Sequence, residues 1–207
     1  MPKFPHAPPA ARLAALGPER VTLPAGTELW RIYFRGGAHP VRWGAFRAYG
    51  PTNSRFDHHL EPSSVQDRKI AYLAAHGPTC VAEAFQHTRL IDRRARAPWL
   101  VRFALGRAVT LLDLTGAWPT RAGASMAINS GPRPRAREWS RAIYAAFPDI
   151  EGLLYGSSMH ANRPAIALYE RALDAVPKTP LFNRPLADPA LLRPLRNAAV
   201  DLGYGLL

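Results

Sequence analysis

The chain has 207 residues, 47% of them apolar and 20% charged, proportions that suit one globular domain with a substantial core. Its 21 prolines, about twice the usual share, argue against long helical bundles. A net charge of +12 points to an anionic partner, while the single cysteine, Cys80, excludes an internal disulfide framework and a multi-cysteine zinc site.

Residues 1–24 read as a proline-rich, loosely ordered arm with little to bury, since Pro2, Pro5, Pro8 and Pro9 cluster there. The prolines also interrupt any signal-peptide core, and no later apolar run is long enough to span a bilayer, so a soluble cytoplasmic protein is expected with no membrane partner. Residues 25–207 read as a single domain. Glu28–Phe34 (ELWRIYF) alternates as a strand, with Leu29, Arg31 and Tyr33 on one face and Trp30, Ile32 and Phe34 on the other. Arg31 thus shares a face with residues that favour burial, although an arginine there often buries its stem and leaves its head in water. Residues 35–68 read as a long loop with few elements, the kind that is usually functional or disordered. It carries GPTNSRFDHH, with Arg55, Asp57, His58 and His59; adjacent histidines converge poorly on a metal, and none is expected.

Lys69–Ala75 reads as a short strand and His76-Gly77-Pro78 as its breaker, with Thr79 capping a helix that starts near Cys80. Val81, Ala84 and Phe85 share a helix face, and Glu83 falls one turn in, where the helix dipole alone accounts for a carboxylate. Trp99–Leu105 and Val109–Leu114, joined through Gly106-Arg107, read as a hairpin. A helix is expected over 135–147, with Trp139, Ile143, Ala146 and Phe147 on one face. Arg133, Arg135, Arg137 and Arg141 give it a basic side, read first as solvated and second as a contact for phosphate or a partner. Gly152–Ser158 and Pro164–Glu170 read as strands around a polar turn, and a last helix runs through Leu191, Leu192, Leu195 and Val200. Hydroxyls such as Ser157 and Ser158 at a strand end commonly cap a turn.

The ordered series LWRIYF, GPTNSRFDHH, YLAAHGPTCVAEAFQ and DIEGLLYGSSMHANRPAIALYER resembles the RES-domain family. That family is named for an arginine, a glutamate and a serine and contains bacterial toxins that destroy NAD, typically beside an Xre-like antitoxin. Carried over by position, the resemblance implies Glu83, Ser157 and Tyr72 as catalytic residues, and Arg31, Arg55, Tyr72 and Ser157 as NAD-binding residues. Ser158 is the adjacent alternative to Ser157, and Phe56 stands where the family often has tryptophan. The implied fold is α+β and ADP-ribosyltransferase-like, a mixed and largely antiparallel sheet with packed helices. NAD is the implied substrate rather than a cofactor, and an Xre-like antitoxin the implied partner, with a homodimer left open.

NAD carries an anionic pyrophosphate, and its nicotinamide leaves through a transition state with oxocarbenium character. Arginine's planar fork suits the phosphates, and a carboxylate suits the developing cation. Water as acceptor gives a glycohydrolase, phosphate a phosphorylase, and a protein side chain an ADP-ribosyltransferase; sequence does not separate them. Two readings compete with this one. A basic nucleic-acid-binding or RNase-like toxin is motivated by the charge, and an inactive partner-binding relative would use the basic surface on an acidic antitoxin.

Overall fold

A computed structural model describes residues 3–207. In chain order the elements are α1 (Ala10–Leu16), β1 (Arg20–Leu23), β2 (Glu28–Phe34), β3 (Arg47–Gly50), β4 (Ser64–Ala74), α2 (Gly77–Ala84), β5 (Leu90–Ile91), β6 (Pro98–Ala104) and β7 (Val109–Asp113). There follow α3 (Trp118–Arg121), α4 (Arg133–Ala146), β8 (Gly152–Gly156), β9 (Pro164–Tyr169), β10 (Phe182–Pro185), α5 (Leu192–Leu202) and β11 (Gly205–Leu206). Nine strands form one sheet in the order β1-β7-β8-β9-β4-β2-β6-β10, with β3 paired to β4. Within it β7 and β8 run parallel and the other pairs antiparallel, so the fold is α+β with a largely antiparallel sheet and packed helices.

The hairpin expected at Gly106-Arg107 does not form. β6 pairs with β2 and β10, whereas β7 pairs with β1 and β8. Between them lie β2, β4, β9 and β8, and in a flat sheet those five spacings would cover about 24 Å. The link from Ala104 to Val109 spans at most about 18 Å. The sheet therefore curls on itself, and Phe103 and Leu105 on one limb share a buried core with Val109, Leu111 and Leu168 on the other. Outside the curl, α4 packs Trp139 and Ile143 onto Leu112, Leu153 and Ala167, while α2 and α5 bury Val81, Leu195 and Ala199 with Leu100.

The N-terminal segment is packed rather than loose. Phe4 stacks on Trp139 with ring centroids 6.3 Å apart, Leu13 is 1% exposed, and β1 pairs with β7. Two buried indoles need acceptors, and this segment supplies both: Trp139 Nε1 donates to the Pro5 carbonyl at 3.0 Å and Trp118 Nε1 to that of Gly17 at 2.8 Å. Met1 and Pro2 lie outside the described residues. The expected loop over 35–68 is also shorter than read, because β3 and the first half of β4 lie inside it.

Candidate active site

β2 and β4 touch at one registered pair, Trp30 with Ala74, and then part. Where they separate, a cleft of about 290 Å³ opens, with Ile32 and Phe34 on one wall and Tyr72 and Leu73 on the other. α2 follows β4 directly and carries Glu83 to the cleft. The helix begins earlier than its composition suggests, capped at His76 with Pro78 in its first turn. Thr79 is therefore not a cap; it is buried inside the helix, its hydroxyl 2.9 Å from His160 Nδ1. That bond ties α2 to the β8–β9 turn. Glu83 consequently lies in the last turn of α2, where the dipole disfavours a carboxylate, so the dipole does not account for it. What holds it is Ser157 at the end of β8, whose hydroxyl donates to Glu83 Oε1 at 2.5 Å. Ser157 is fully buried and Ser158 exposed, so the two candidate serines are distinguished by geometry. Gln86 Nε2 donates to the Glu83 carbonyl at 2.8 Å and reaches Oε2 at 3.5 Å.

Two guanidiniums face the same cleft. Arg55 donates to the Gly131 carbonyl at 2.5 Å, and Arg133, the first residue of α4, donates to Gln86 Oε1 at 2.6 Å and lies 3.0 Å from His87 Nε2. Burial lowers the Arg55 pKa most and the charge of Arg133 lowers it further, with Glu83 and Tyr155 opposing. Among the described residues neither arginine has a carboxylate within 4.0 Å. Two cations held together without a bonded counter-charge make a receptor for an anion. The Arg55 loop is fixed from below: the Phe56 ring packs tilted against Tyr155 with centroids 4.8 Å apart, and the Phe56 carbonyl accepts from Ser140 Oγ at 2.8 Å. Tyr72 and Tyr155 supply aromatic surface, and burial is the chief cause that pushes both phenols up. The Tyr72 hydroxyl is buried and has no hydrogen-bond partner among the described residues.

The RES domain profile matches residues 28–187. The chain belongs to the RES-domain family. Among solved structures, it resembles the M. tuberculosis MbcT-MbcA toxin-antitoxin complex with a TM-score of 0.54 and 18% identity, covering 91% of this chain and 96% of that one. At that identity the likeness speaks for the fold. No curated protein sequence matches the chain.

In this RES domain, then, Glu83, Ser157, Tyr72 and Arg55 converge, whereas Arg31 does not join them. Ile32 and Phe34 line the Glu83 cleft; Arg31 points to the other face of β2 with Leu29 and Tyr33. Its Nη1 donates to the carbonyls of Trp43 and Ala45, both at 2.7 Å, and so pins the segment leading into β3. Burial lowers its pKa to about 10. Arg31 instead borders a second cleft, of about 360 Å³, which shares Ile32, Phe34 and Tyr72 with the first.

The Asp57-His58-His59 run is a buried brace of this RES domain. Asp57 Oδ1 accepts from His59 Nδ1 at 2.5 Å, and Oδ2 accepts from Arg47 at 2.8 Å and from the Thr52 amide at 2.6 Å. Burial would raise the Asp57 pKa, but these three partners outweigh it and hold the carboxyl far below the usual range. Gly50 lets His59 close on the backbone, since a Cβ there would come within 2.5 Å of the ring. His58 sits between Tyr144 and Tyr169, at 4.5 and 4.4 Å. Among the described residues no three His, Cys, Asp or Glu side chains gather in a metal-binding set.

Sequence reasoning passed over Gln86 and Tyr155 as site residues and gave Arg133 a phosphate contact only as a second reading. All three lay in segments already singled out, and Arg133 directly follows Gly131-Pro132, a sign that it opens a helix rather than lining its solvated side. Two more of that basic run are engaged: Arg135 lies 3.6 Å from Glu138 and Arg137 reaches Asn53 at 3.4 Å.

Proposed function

We propose that this chain cleaves NAD at the nicotinamide–ribose bond, passing the ADP-ribosyl group to water or inorganic phosphate. The observation that carries the reading is the Glu83 carboxylate, fixed by Ser157 at 2.5 Å in a cleft that also presents two guanidiniums without carboxylate partners. The family resemblance supports it from a separate direction.

In this reading Arg55 and Arg133 grip the pyrophosphate by charge-assisted hydrogen bonds. That leaves the nicotinamide ribose beside Glu83 and the nicotinamide against Tyr72 and Tyr155. The C1′–N bond breaks and its electron pair leaves on neutral nicotinamide. Glu83 stabilises the positive charge that develops on the ribose, as carboxylates do in glycoside cleavage. A water or phosphate oxygen then bonds to C1′, and with water the surplus proton passes to solvent. Ser157 keeps Oε1 of Glu83 oriented throughout, so no rearrangement is needed as charge builds.

Arg31 takes a positioning role in this scheme rather than a phosphate contact, because its hydrogen bonds go to Trp43 and Ala45. The partner proposed is an acidic, Xre-like antitoxin in the cytoplasm, a reading favoured by the net charge of +12 and by the toxin–antitoxin setting of the structural neighbour.

The test is incubation of purified protein with NAD, with and without phosphate, followed by chromatography of nicotinamide and of ADP-ribose or its 1″-phosphate. Glu83→Gln keeps shape and removes charge, and a loss of roughly 10²- to 10³-fold in rate is expected. No nicotinamide release by the wild type, or undiminished release by Glu83→Gln, would overturn the proposal.

A further inference from the structure

The second cleft contains cationic and aromatic groups but no acid. Its lining includes Arg31, Arg47, His39 and Arg96, and not one Asp or Glu. Two of the arginines are already committed, Arg31 to two backbone carbonyls and Arg47 to the buried carboxylate of Asp57 at 2.8 Å. Arg96 is different: it is exposed, and no side-chain hydrogen bond or ion pair engages it among the described residues. Its guanidinium lies over the Phe34 ring at 4.1 Å, which orients the planar fork while leaving its N–H edges free.

The backbone is strained to put it there. Arg96 and Ala97 both take left-handed conformations, with φ of 60° and 47°. Such a conformation costs an L-residue about 1–2 kcal/mol. The turn is held by the amides of Gly36 and Arg35, which donate to the Arg96 and Ala97 carbonyls at 2.9 and 3.0 Å. Gly37, at φ 87°, lies against the Arg96 stem, where a Cβ would come within 3.2 Å of Cγ. A strained turn and a close-packed glycine thus place one uncommitted guanidinium on Phe34, a residue common to both clefts.

We infer that the second cleft receives the adenosine half of the dinucleotide and that Arg96 reads a phosphate on its ribose, so that NADP is the preferred substrate. This rests on the cleavage proposed above. With the nicotinamide ribose at Glu83 and the nicotinamide against Tyr72, the far nucleotide extends past Ile32 and Phe34 into the second cleft. In Rossmann folds an Asp or Glu commonly meets the 2′-hydroxyl of an unphosphorylated adenosine ribose, whereas an arginine accommodates the 2′-phosphate, and the same charge logic holds in any cleft. Here the carboxylate is missing and the arginine is present. Committed cations at Arg31 and Arg47 add favourable long-range potential.

The test compares nicotinamide release from NADP, NAD and nicotinamide mononucleotide by wild type and Arg96→Ala. One charge-assisted contact corresponds to roughly 10- to 100-fold in kcat/KM for NADP over NAD. Arg96→Ala is expected to remove that preference while changing NAD and mononucleotide turnover by less than about threefold. A wild type that prefers NAD, or an NADP preference that survives Arg96→Ala, overturns the inference. A binding arm separates this from failure of the chemistry: calorimetry of Glu83→Gln with ADP-ribose and its 2′-phosphate. Tighter binding of the 2′-phosphate, abolished by adding Arg96→Ala, upholds the subsite even if no nucleotide is cleaved; equal binding of the two sinks it.

Discussion

Replacing Ser157 with alanine removes one atom from the site and tests the arrangement on which catalysis is proposed to depend. The hydroxyl donates to Glu83 Oε1 at 2.5 Å and accepts from the Met159 amide at 3.3 Å. Hydrogen bonds to a charged group are worth about 1.5–3 kcal/mol, and at 1.36 kcal/mol per tenfold that is roughly a 10- to 150-fold loss in kcat/KM. After the substitution only Gln86, 3.5 Å from Oε2, still approaches the carboxylate among its described partners. The loss is expected in kcat, with KM changed little, because in the proposed mechanism Ser157 orients the group that meets charge developing in the transition state. The assay is nicotinamide release over a range of NAD concentrations, with the thermal midpoint recorded to establish folding. Ser158→Ala, at an exposed neighbour, is expected to stay within about twofold of wild type. In a Glu83→Gln background Ser157→Ala is expected to cost little more, since the charge it served is gone. A folded Ser157→Ala with undiminished kcat, or full additivity with Glu83→Gln, would refute the coupling.

Three further outcomes are expected. Arg133→Ala removes one of the two cleft guanidiniums and is expected to raise KM for NAD roughly 10- to 100-fold with kcat little altered; an unchanged KM would take Arg133 out of the phosphate site. Arg31→Met leaves the Trp43 and Ala45 carbonyls without their donor and is expected to lower stability by about 2–4 kcal/mol in urea titration; a variant as stable as wild type but defective in NAD binding would restore Arg31 to substrate contact. Glu170 would be raised by burial, but His58 at 3.6 Å and hydrogen bonds from the Lys69 amide and Tyr144 outweigh that and lower its pKa from 4.5 to about 2. A depressed carboxyl contributes stability above its unfolded pKa, so that contribution is lost as pH falls from 4.5 towards 2. Thermal midpoints across that range should fall less steeply in Glu170→Gln than in wild type, and parallel curves would contradict the assignment.

The elements legible in the sequence were those whose own side chains fix them. β2 runs over Glu28–Phe34 as its alternation requires, and β8, β9 and α4 fall within a few residues of expectation. The failures trace to information held elsewhere in the chain. Nothing local at Gly106-Arg107 shows that β6 and β7 each have two other partners, because strand neighbours in a curled sheet are set by long-range pairing. Composition at Pro2–Pro9 likewise hides the requirement of two indoles more than a hundred residues away for carbonyl acceptors. The α2 boundary was a different failure. Pro78 belongs to a helix's first turn, so the cap precedes it at His76, and a start at Thr79 would put Glu83 in the first turn rather than the last, where it lies.

Arg31 gives the sharpest case of two signals in conflict. Family resemblance draws it to the substrate, whereas strand alternation sets it with Leu29 and Tyr33, across the strand from Ile32 and Phe34. A side-chain period of two leaves no choice in this: if Ile32 and Phe34 line the Glu83 cleft, Arg31 belongs to the opposite face unless the strand bulges. The register of β2 against β6 runs unbroken from Glu28 to Phe34, so there is no bulge to turn it. Arg31 must then act on the site through the segment it anchors, which leads into β3 and the loop that carries Arg55. In the proposed reading its importance would come from holding that loop in place, with the pyrophosphate contacts assigned to Arg55 and Arg133.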